Sequence, residues 1–344
     1  MLYRKATIYA RRSYKTQKTQ ISKKKQQNVS VIWSHTAIQY IAMNHTNAKW
    51  PYALLLITPA LWAVNYLVAR AAPGLIAPHM LALCRWAIAG AVLAVFAWPE
   101  LSSKGVWRAQ WRAHAWQYLA LGALGMWICG AWVYIGARST SATNIALIYA
   151  LSPVLLALAG RFWLKERLGA WQWLGVAVAL VGLVHVVIKG QWAALAGVQF
   201  VAGDGWILAC TLAWTLYALL LKKWQTTLSQ LARLVLIIAG GVLILLPLAV
   251  LEAWSGLPLT HTTWNANTLL IMAAAGLFPG AGAYLAFSTL QKHLGAARAG
   301  LTLYLGPLYA GLAGWAVLGE PIEFYHLLGA AVILPGIYLA SRKA

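Results

Sequence analysis

The chain has 344 residues, 61% of them hydrophobic and only 10% charged, with a mean hydropathy of +0.67. Soluble domains carry about one-quarter charged residues, so water is excluded as the solvent for most of this chain, and no stretch has the composition of a separate catalytic or ATP-hydrolysing domain. The net charge of +21 would point a soluble protein toward nucleic acid, but ten of the 27 Lys and Arg lie in residues 1–49, which hold no Asp or Glu, and most of the others flank apolar segments, a pattern of membrane topology.

In chain order, the basic stretch 1–49 comes first, with Arg11-Arg12 and Lys23-Lys24-Lys25 and no secretory apolar region. It reads as a cytoplasmic extension, an organellar transit peptide, or sequence upstream of a true start at Met43. Ten apolar segments follow, at 51–70, 76–98, 115–137, 141–163, 170–188, 204–221, 230–251, 266–288, 296–318 and 324–340. About 20 apolar residues cross a hydrocarbon core of roughly 30 Å as a helix, which pairs every backbone N–H and C=O within the segment. The expected fold is therefore all-α and integral to a membrane, with ten transmembrane helices.

Basic residues in the short connections set the orientation. With the N-terminus inside, Lys104, Arg108, Arg112, Arg161, Lys165, Arg167, Lys222, Lys223, Lys292, Arg298, Arg342 and Lys343 fall on the cytoplasmic side, and only Arg70, Arg138 and Lys189 on the other. Both termini are expected in the cytoplasm of a cell whose inner membrane holds the protein. Cys84, Cys129 and Cys210 sit in apolar segments without CxxC spacing, so neither a disulfide framework nor a metal site is indicated, and no cofactor motif appears.

A shift of 154 positions lays residues 138–186 over 292–340 without a gap, with 15 identities in 49 pairs. The matches include Pro153 with Pro307, Gly160 with Gly314, Glu166 with Glu320, Gly175 with Gly329 and Gly182 with Gly336, which shared apolar character does not explain. A weaker match joins Leu61-Trp62 to Ala213-Trp214 and Gly90 to Gly240. The expected organisation is a basic extension at 1–49, a first five-helix repeat at 50–190 and a second at 203–342. Five is odd, so the repeats insert with opposite orientation, the construction of alternating-access carriers.

The stretches Leu61-Trp62-Ala63-Val64-Asn65-Tyr66 and Thr143-Asn144-Ile145-Ala146-Leu147-Ile148-Tyr149-Ala150-Leu151-Ser152-Pro153 resemble the EamA type of the drug/metabolite transporter superfamily. So do Leu164-Lys165-Glu166-Arg167-Leu168 and Leu318-Gly319-Glu320-Pro321-Ile322, before the fifth and tenth segments. The resemblance covers roughly residues 50–342 and implies export or exchange of amino acids, related metabolites or hydrophobic cations through a central cavity.

Pro153 and Pro307 remove a helix hydrogen bond at matching places and free the carbonyls of Tyr149 and Leu303, which marks both as helix breaks beside a midplane site. Arg85 lies well inside the second segment, where a charge is tolerated against the bundle interior or water, and is expected to pair a substrate carboxylate or brace backbone carbonyls. Trp62, Asn65, Tyr134, Asn144, Tyr149, Trp214, Tyr217, Tyr284 and Tyr304 supply hydrogen bonds or aromatic faces at membrane depth and complete the candidate substrate-binding set. The six acids all fall at segment ends or in loops, so no midplane carboxylate offers itself to a coupling ion. No HExxH, GxSxG, paired intramembrane acids or nucleotide-binding loop is present, which argues against a membrane enzyme or an ATP-driven pump within this chain. The expected partners are the bilayer and a small-molecule substrate, without nucleic acid; a homodimer stays open, as does the rival reading of a receptor, channel or scaffold.

Overall fold

The computed structural model describes residues 50–140, 142–165, 168–255, 261–319 and 321–341. The extension 1–49, and Glu166, Arg167, Glu320, Arg342 and Lys343, named above, lie outside the described residues. The described residues are helical, with no strand among them.

Ten spans run in chain order: α1 Trp50–Ala71, α2 Pro78–Ser102, α3 Val106–Gly136, α4 in the two pieces Ala142–Tyr149 and Leu151–Trp163, α5 Ala170–Val187, α6 Ala202–Lys223, α7 Gln230–Trp254, α8 Ala266–Leu294, α9 in the pieces Ala296–Gly300, Leu301–Leu305 and Gly306–Leu318, and α10 Phe324–Ser341. Nine described helical stretches are long and apolar enough to cross a membrane; α9 falls outside that set because it is split, its middle wound as a 3-10 segment just before Pro307. Large side chains stay exposed around the bundle, Phe96, Phe162 and Leu270 among them, and indoles cluster toward its ends: Trp98, Trp163 and Trp171 at one, Trp192, Trp254 and Trp264 at the other. Apolar girdles flanked by Trp are what lipid tails and headgroups select.

Two spans reach further than hydropathy suggests. α3 begins at Val106, where Arg108 and Arg112 break the apolar pattern without breaking the helix, and the chain bends at His114 (φ −134°, ψ 18°) before entering the apolar part. α8 continues past its apolar core through Thr289, Gln291 and Lys292.

The reciprocal packing of α5 on α10 displays the inverted repeat. A Cβ built on Gly175 would lie 2.4 Å from the amide nitrogen of Ala340, and one on Gly329 2.0 Å from Cγ2 of Val186. Under the 154-residue shift these contacts exchange, since Gly175 corresponds to Gly329 and Val186 to Ala340. The same holds for Gly182 against Ile333 (2.8 Å) and Gly336 against Ala179 (2.5 Å). Residue numbers rise along α5 as they fall along α10, so the helices are antiparallel and the contact is self-complementary, as a two-fold axis requires. The matched glycines are therefore where the two repeats meet, and their missing side chains let the backbones touch.

A second reciprocal contact joins α2 to α7. At one end Glu252, in the last turn of α7, accepts from the backbone N–H of His79 (2.8 Å) and Met80 (3.3 Å) at the start of α2 and pairs with His79 Nδ1 at 3.0 Å. At the other end Glu100, in the last turn of α2, accepts from the N–H of Ser229, the residue that caps α7 (2.8 Å), and from its hydroxyl. Each carboxylate satisfies orphan donors at a helix N-terminus and meets the positive end of its dipole.

Candidate functional site

A cavity of about 880 Å3 lies among α1, α2, α3, α4, α5, α6, α8 and α9, with no lining residue from α7 or α10 among the described residues. Its wall uses the late residues of α1 and α3, from Pro59 and Cys129 onward, and the early residues of α2 and α6, up to Arg85 and Trp214. It continues into the connections at Ala72–Gly74, Arg138 and Lys189. The opposite halves of the same helices are packed shut by Leu101, Leu156, Leu221, Phe287 and Leu290, all buried. The cavity therefore opens at one end only, the end that carries the connections after α1, α3 and α5.

Its floor is aromatic. Trp62 meets Trp214 edge-on with ring centroids 5.4 Å apart, Trp214 lies 5.5 Å from Tyr284 and 4.9 Å from Phe287, and Trp86 packs 4.6 Å from Tyr284. The contacts of Trp62 with Trp214 and of Tyr284 with Trp86 and Trp214 are near-perpendicular, which suits the ring quadrupoles.

Beside this floor stands Arg85, 4% exposed. Its Nη2 donates to the carbonyl of Pro279 at 3.1 Å, Nη1 lies 3.4 Å from Oδ1 of Asn65, and its Cζ sits 4.9 Å from the Trp86 ring centroid. Tyr134 donates its hydroxyl to the same Asn65 oxygen at 3.0 Å. Nε has no protein acceptor, and neither has Nε1 of Trp214. Three described acids are engaged elsewhere, Glu100 with Ser229, Asp204 with Thr140 and Asn144, and Glu252 with His79, and the fourth, Glu323, is exposed in the turn before α10. A buried cation without a counter-ion is costly unless backbone dipoles or a ligand compensate it.

The backbone supplies part of that compensation through a feature the sequence did not reveal. Both third helices of the repeats are π-wound in the middle, α3 over Ala123–Trp132 and α8 over Gly276–Gly282, matching places in the two halves. A wider turn leaves carbonyls misdirected from the usual ladder. Arg85 takes that of Pro279, Tyr284 donates to that of Gly125 at 2.8 Å, and Trp86 Nε1 to that of Met126 at 3.1 Å. Pro279 is a visible signal in α8, whereas nothing in Ala123–Trp132 announces the bulge in α3. We expect Tyr284→Phe to leave the Gly125 carbonyl buried without a donor and to lower stability by about 1–3 kcal/mol, read as a fall in the detergent unfolding midpoint with expression retained.

Of the residues singled out from sequence, Trp62, Asn65, Arg85, Tyr134, Tyr149, Trp214 and Tyr284 line the cavity together, and Pro307 joins them. Asn144 lies in the first turn of α4, where its amide donates to Oδ2 of Asp204 (2.8 Å) and the carbonyl of Gln199 (2.9 Å), beside a separate surface hollow that Arg138 also borders. Tyr217, nearly one turn beyond Trp214, is buried beneath the floor and stacks on it at 5.5 Å. Tyr304 belongs to the 3-10 segment, which turns it into the core against α5 and α10 while its neighbour Leu303 lines the cavity. Pro153 is buried at the third residue of the second α4 piece, after the helix is interrupted at Ala150. Cys129 and Cys210 also lie in the wall, each thiol donating to a carbonyl of the facing helix, Cys210 (3.4 Å) and Ile128 (3.3 Å) respectively.

Comparison with known proteins also divides the chain in two. The sequence model of the EamA-like transporter family matches residues 49–188 and again 201–342. The chain belongs to the EamA-like transporter family. It is 25% identical to the uncharacterized transporter YyaM of Bacillus subtilis, over 87% of this chain and 95% of that one. It is 27% identical to a probable terminal-alkyne amino-acid exporter of Streptantibioticus cattleyicolor (88% and 95% covered) and 24% identical to the S-adenosylmethionine/S-adenosylhomocysteine transporter of Chlamydia trachomatis (78% and 81%). A solved crystal structure superposes with a TM-score of 0.68 at 17% identity, covering 84% of this chain and 96% of its own, and shares the fold. This EamA-like protein is thus a multi-pass membrane protein of a transporter family, with a ten-span, two-repeat architecture.

Proposed function

We propose that the protein is a secondary carrier that exports small amphipathic metabolites, amino acids or compounds built from them, across the bacterial inner membrane by alternating access. The observation that carries this reading is the one-ended cavity, walled by both repeats around a buried Arg85. Basic residues are concentrated at the helix ends on its closed side, Arg108, Arg112, Lys222, Lys223 and Lys292 among them, which supports placing that end and both termini in the cytoplasm. The cavity then faces outward, in the conformation from which an exporter releases its cargo.

In this reading Arg85 holds a carboxylate, and Asn65 and Tyr134 fix the guanidinium from the side. Trp62, Trp214 and Tyr284 pack the substrate's apolar body, and Tyr149 closes the wall. The interruptions next to Pro153 and Pro307 give α4 and α9 a place to bend without breaking further hydrogen bonds. The exporter and transporter named above both carry amino-acid-derived cargo, which supports the same substrate range here.

The test is flux in proteoliposomes. A carrier gives saturable uptake of labelled amino acids or their derivatives that speeds up when unlabelled substrate is preloaded inside. Flux that rises linearly with concentration and ignores preloading would mean a channel, and no flux across a broad panel would remove the transport reading.

A further inference from the structure

The charges around the cavity point to a narrower substrate class than amphipathic metabolites at large, an inference that rests on the carrier reading only for translocation. Arg85 is in the wall, and Arg138 and Lys189 are at the mouth. No Asp or Glu among the described residues lines the cavity. A guanidinium presents five N–H donors; the protein supplies acceptors in Pro279 at 3.1 Å and Asn65 at 3.4 Å, with the Tyr134 hydroxyl beside them, and leaves Nε without one. Trp214 adds a second buried donor without an acceptor, on a residue 8% exposed.

Arg233 shows that such unsatisfied demand is not general to buried arginine in this fold. It is 6% exposed, yet its guanidinium donates to the carbonyl of Trp224 at the C-terminal end of α6, where carbonyls lack helix partners and the dipole favours a cation. Arg85 sits amid aromatic rings, and its Nε, unlike any nitrogen of Arg233, is buried without a partner. What Arg85 lacks among the described residues is an acceptor for Nε and a counter-ion, and a carboxylate supplies both, whereas an ammonium supplies neither.

We propose that the cavity selects net-anionic carboxylates with a flat apolar body and rejects cations of the same shape. The carboxylate takes the open donors of Arg85 and Trp214, the aromatic floor takes the body, and Arg138 and Lys189 raise the local concentration of anions at the mouth. Hydrophobic cations, admitted by the family resemblance, are excluded by a wall that presents Arg85 and, among the described residues, no carboxylate.

The experiment compares 3-phenylpropionate, phenylalanine, 3-phenylpropanol and 3-phenylpropylamine, which share a body and differ in charge. Binding to the purified full chain is measured by equilibrium dialysis, and flux is measured in phosphatidylcholine liposomes, so that anionic headgroups do not compete. Expected is binding in the order carboxylate, zwitterion, alcohol, with none for the amine. Arg85→Gln should weaken the carboxylate by about 30-fold or more and the alcohol far less, with Arg85→Lys intermediate because it keeps the charge and loses the fork. Size-exclusion profiles confirm that each variant is folded, and Arg85→Lys remains informative if Arg85→Gln is not. Amine binding equal to or tighter than carboxylate binding overturns the proposal. So does a carboxylate preference that survives Arg85→Gln, or binding of none of the four. Arg85-dependent carboxylate binding without flux of any member would sustain the anion site and overturn the carrier reading instead.

Discussion

Gly175→Ala is expected to disrupt the α5–α10 seam beyond repair by side-chain trimming, whereas Gly329→Ala, its repeat counterpart, is expected to be rescued by Val186→Ala. The added methyl at 175 would sit 2.4 Å from the Ala340 amide nitrogen and 2.5 Å from the Gly336 carbonyl oxygen, both backbone atoms, so the helices themselves must part. At 329 the first obstacle is Cγ2 of Val186 at 2.0 Å, and the next are 3.4 and 3.5 Å away, ordinary contact distances. Overpacking of this kind costs about 3 kcal/mol or more where backbone must move. The unfolding midpoint of Gly175→Ala in detergent should fall by about 6–12 °C. Gly329→Ala alone should show a comparable fall, and most of it should return in the double variant, less the small loss from truncating Val186. A Gly175→Ala protein as stable as the parent would mean that the two helices lie farther apart than these contacts state.

That pair of glycines also shows what the sequence could and could not disclose. Their match across the repeat is legible at once, because identity between rare residues at a fixed offset needs no structure. Their function as the two-fold contact is not, because the spacing of Gly175 and Gly182 is equally suited to packing against any neighbour. The ten spans were legible for the same reason that makes membrane proteins regular: lipid forbids unpaired backbone, so length and apolarity suffice. The start of α3 was misjudged because Arg108 and Arg112 lower hydropathy while leaving the helix intact near the headgroups.

In the site, Arg85 announced itself by its cost, and Trp62, Asn65, Tyr134, Tyr149, Trp214 and Tyr284 by depth and chemistry. Depth alone cannot say which way a residue faces. Tyr217 differs from Trp214 by most of a turn and falls beneath it, and Tyr304 is rotated inward by a 3-10 stretch that apolar periodicity does not encode. Asn144 sits where α4 begins, so its partner is the carboxylate of Asp204 at the start of α6. The carboxylate staples of α2 and α7 join residues more than 120 positions apart, and their partners are backbone N–H groups, which every residue but proline carries.

Those staples lead to the second large expected effect. Glu252→Ala strips acceptors from two backbone donors and from His79 at the buried start of α2, and should lower stability by about 3 kcal/mol; Glu100→Ala, at the more exposed end, should cost less. Alternating access requires surfaces that part at one membrane face while others close at the opposite face. A helix pair held at both ends by the same type of contact is poorly suited to be such a surface, so α2 and α7 are expected to travel as one body against which α4 and α9 bend. Bridging Glu100→Cys to Ser229→Cys with a short bismaleimide should therefore leave flux unchanged, whereas a bulky thiol label on Ala310→Cys, inside the cavity wall, should stop it. Loss of flux on bridging would place the α2–α7 contact among the moving surfaces. Of the two reciprocal contacts described above, the glycine seam of α5 and α10 would then be the one left to serve as the fixed axis between the repeats.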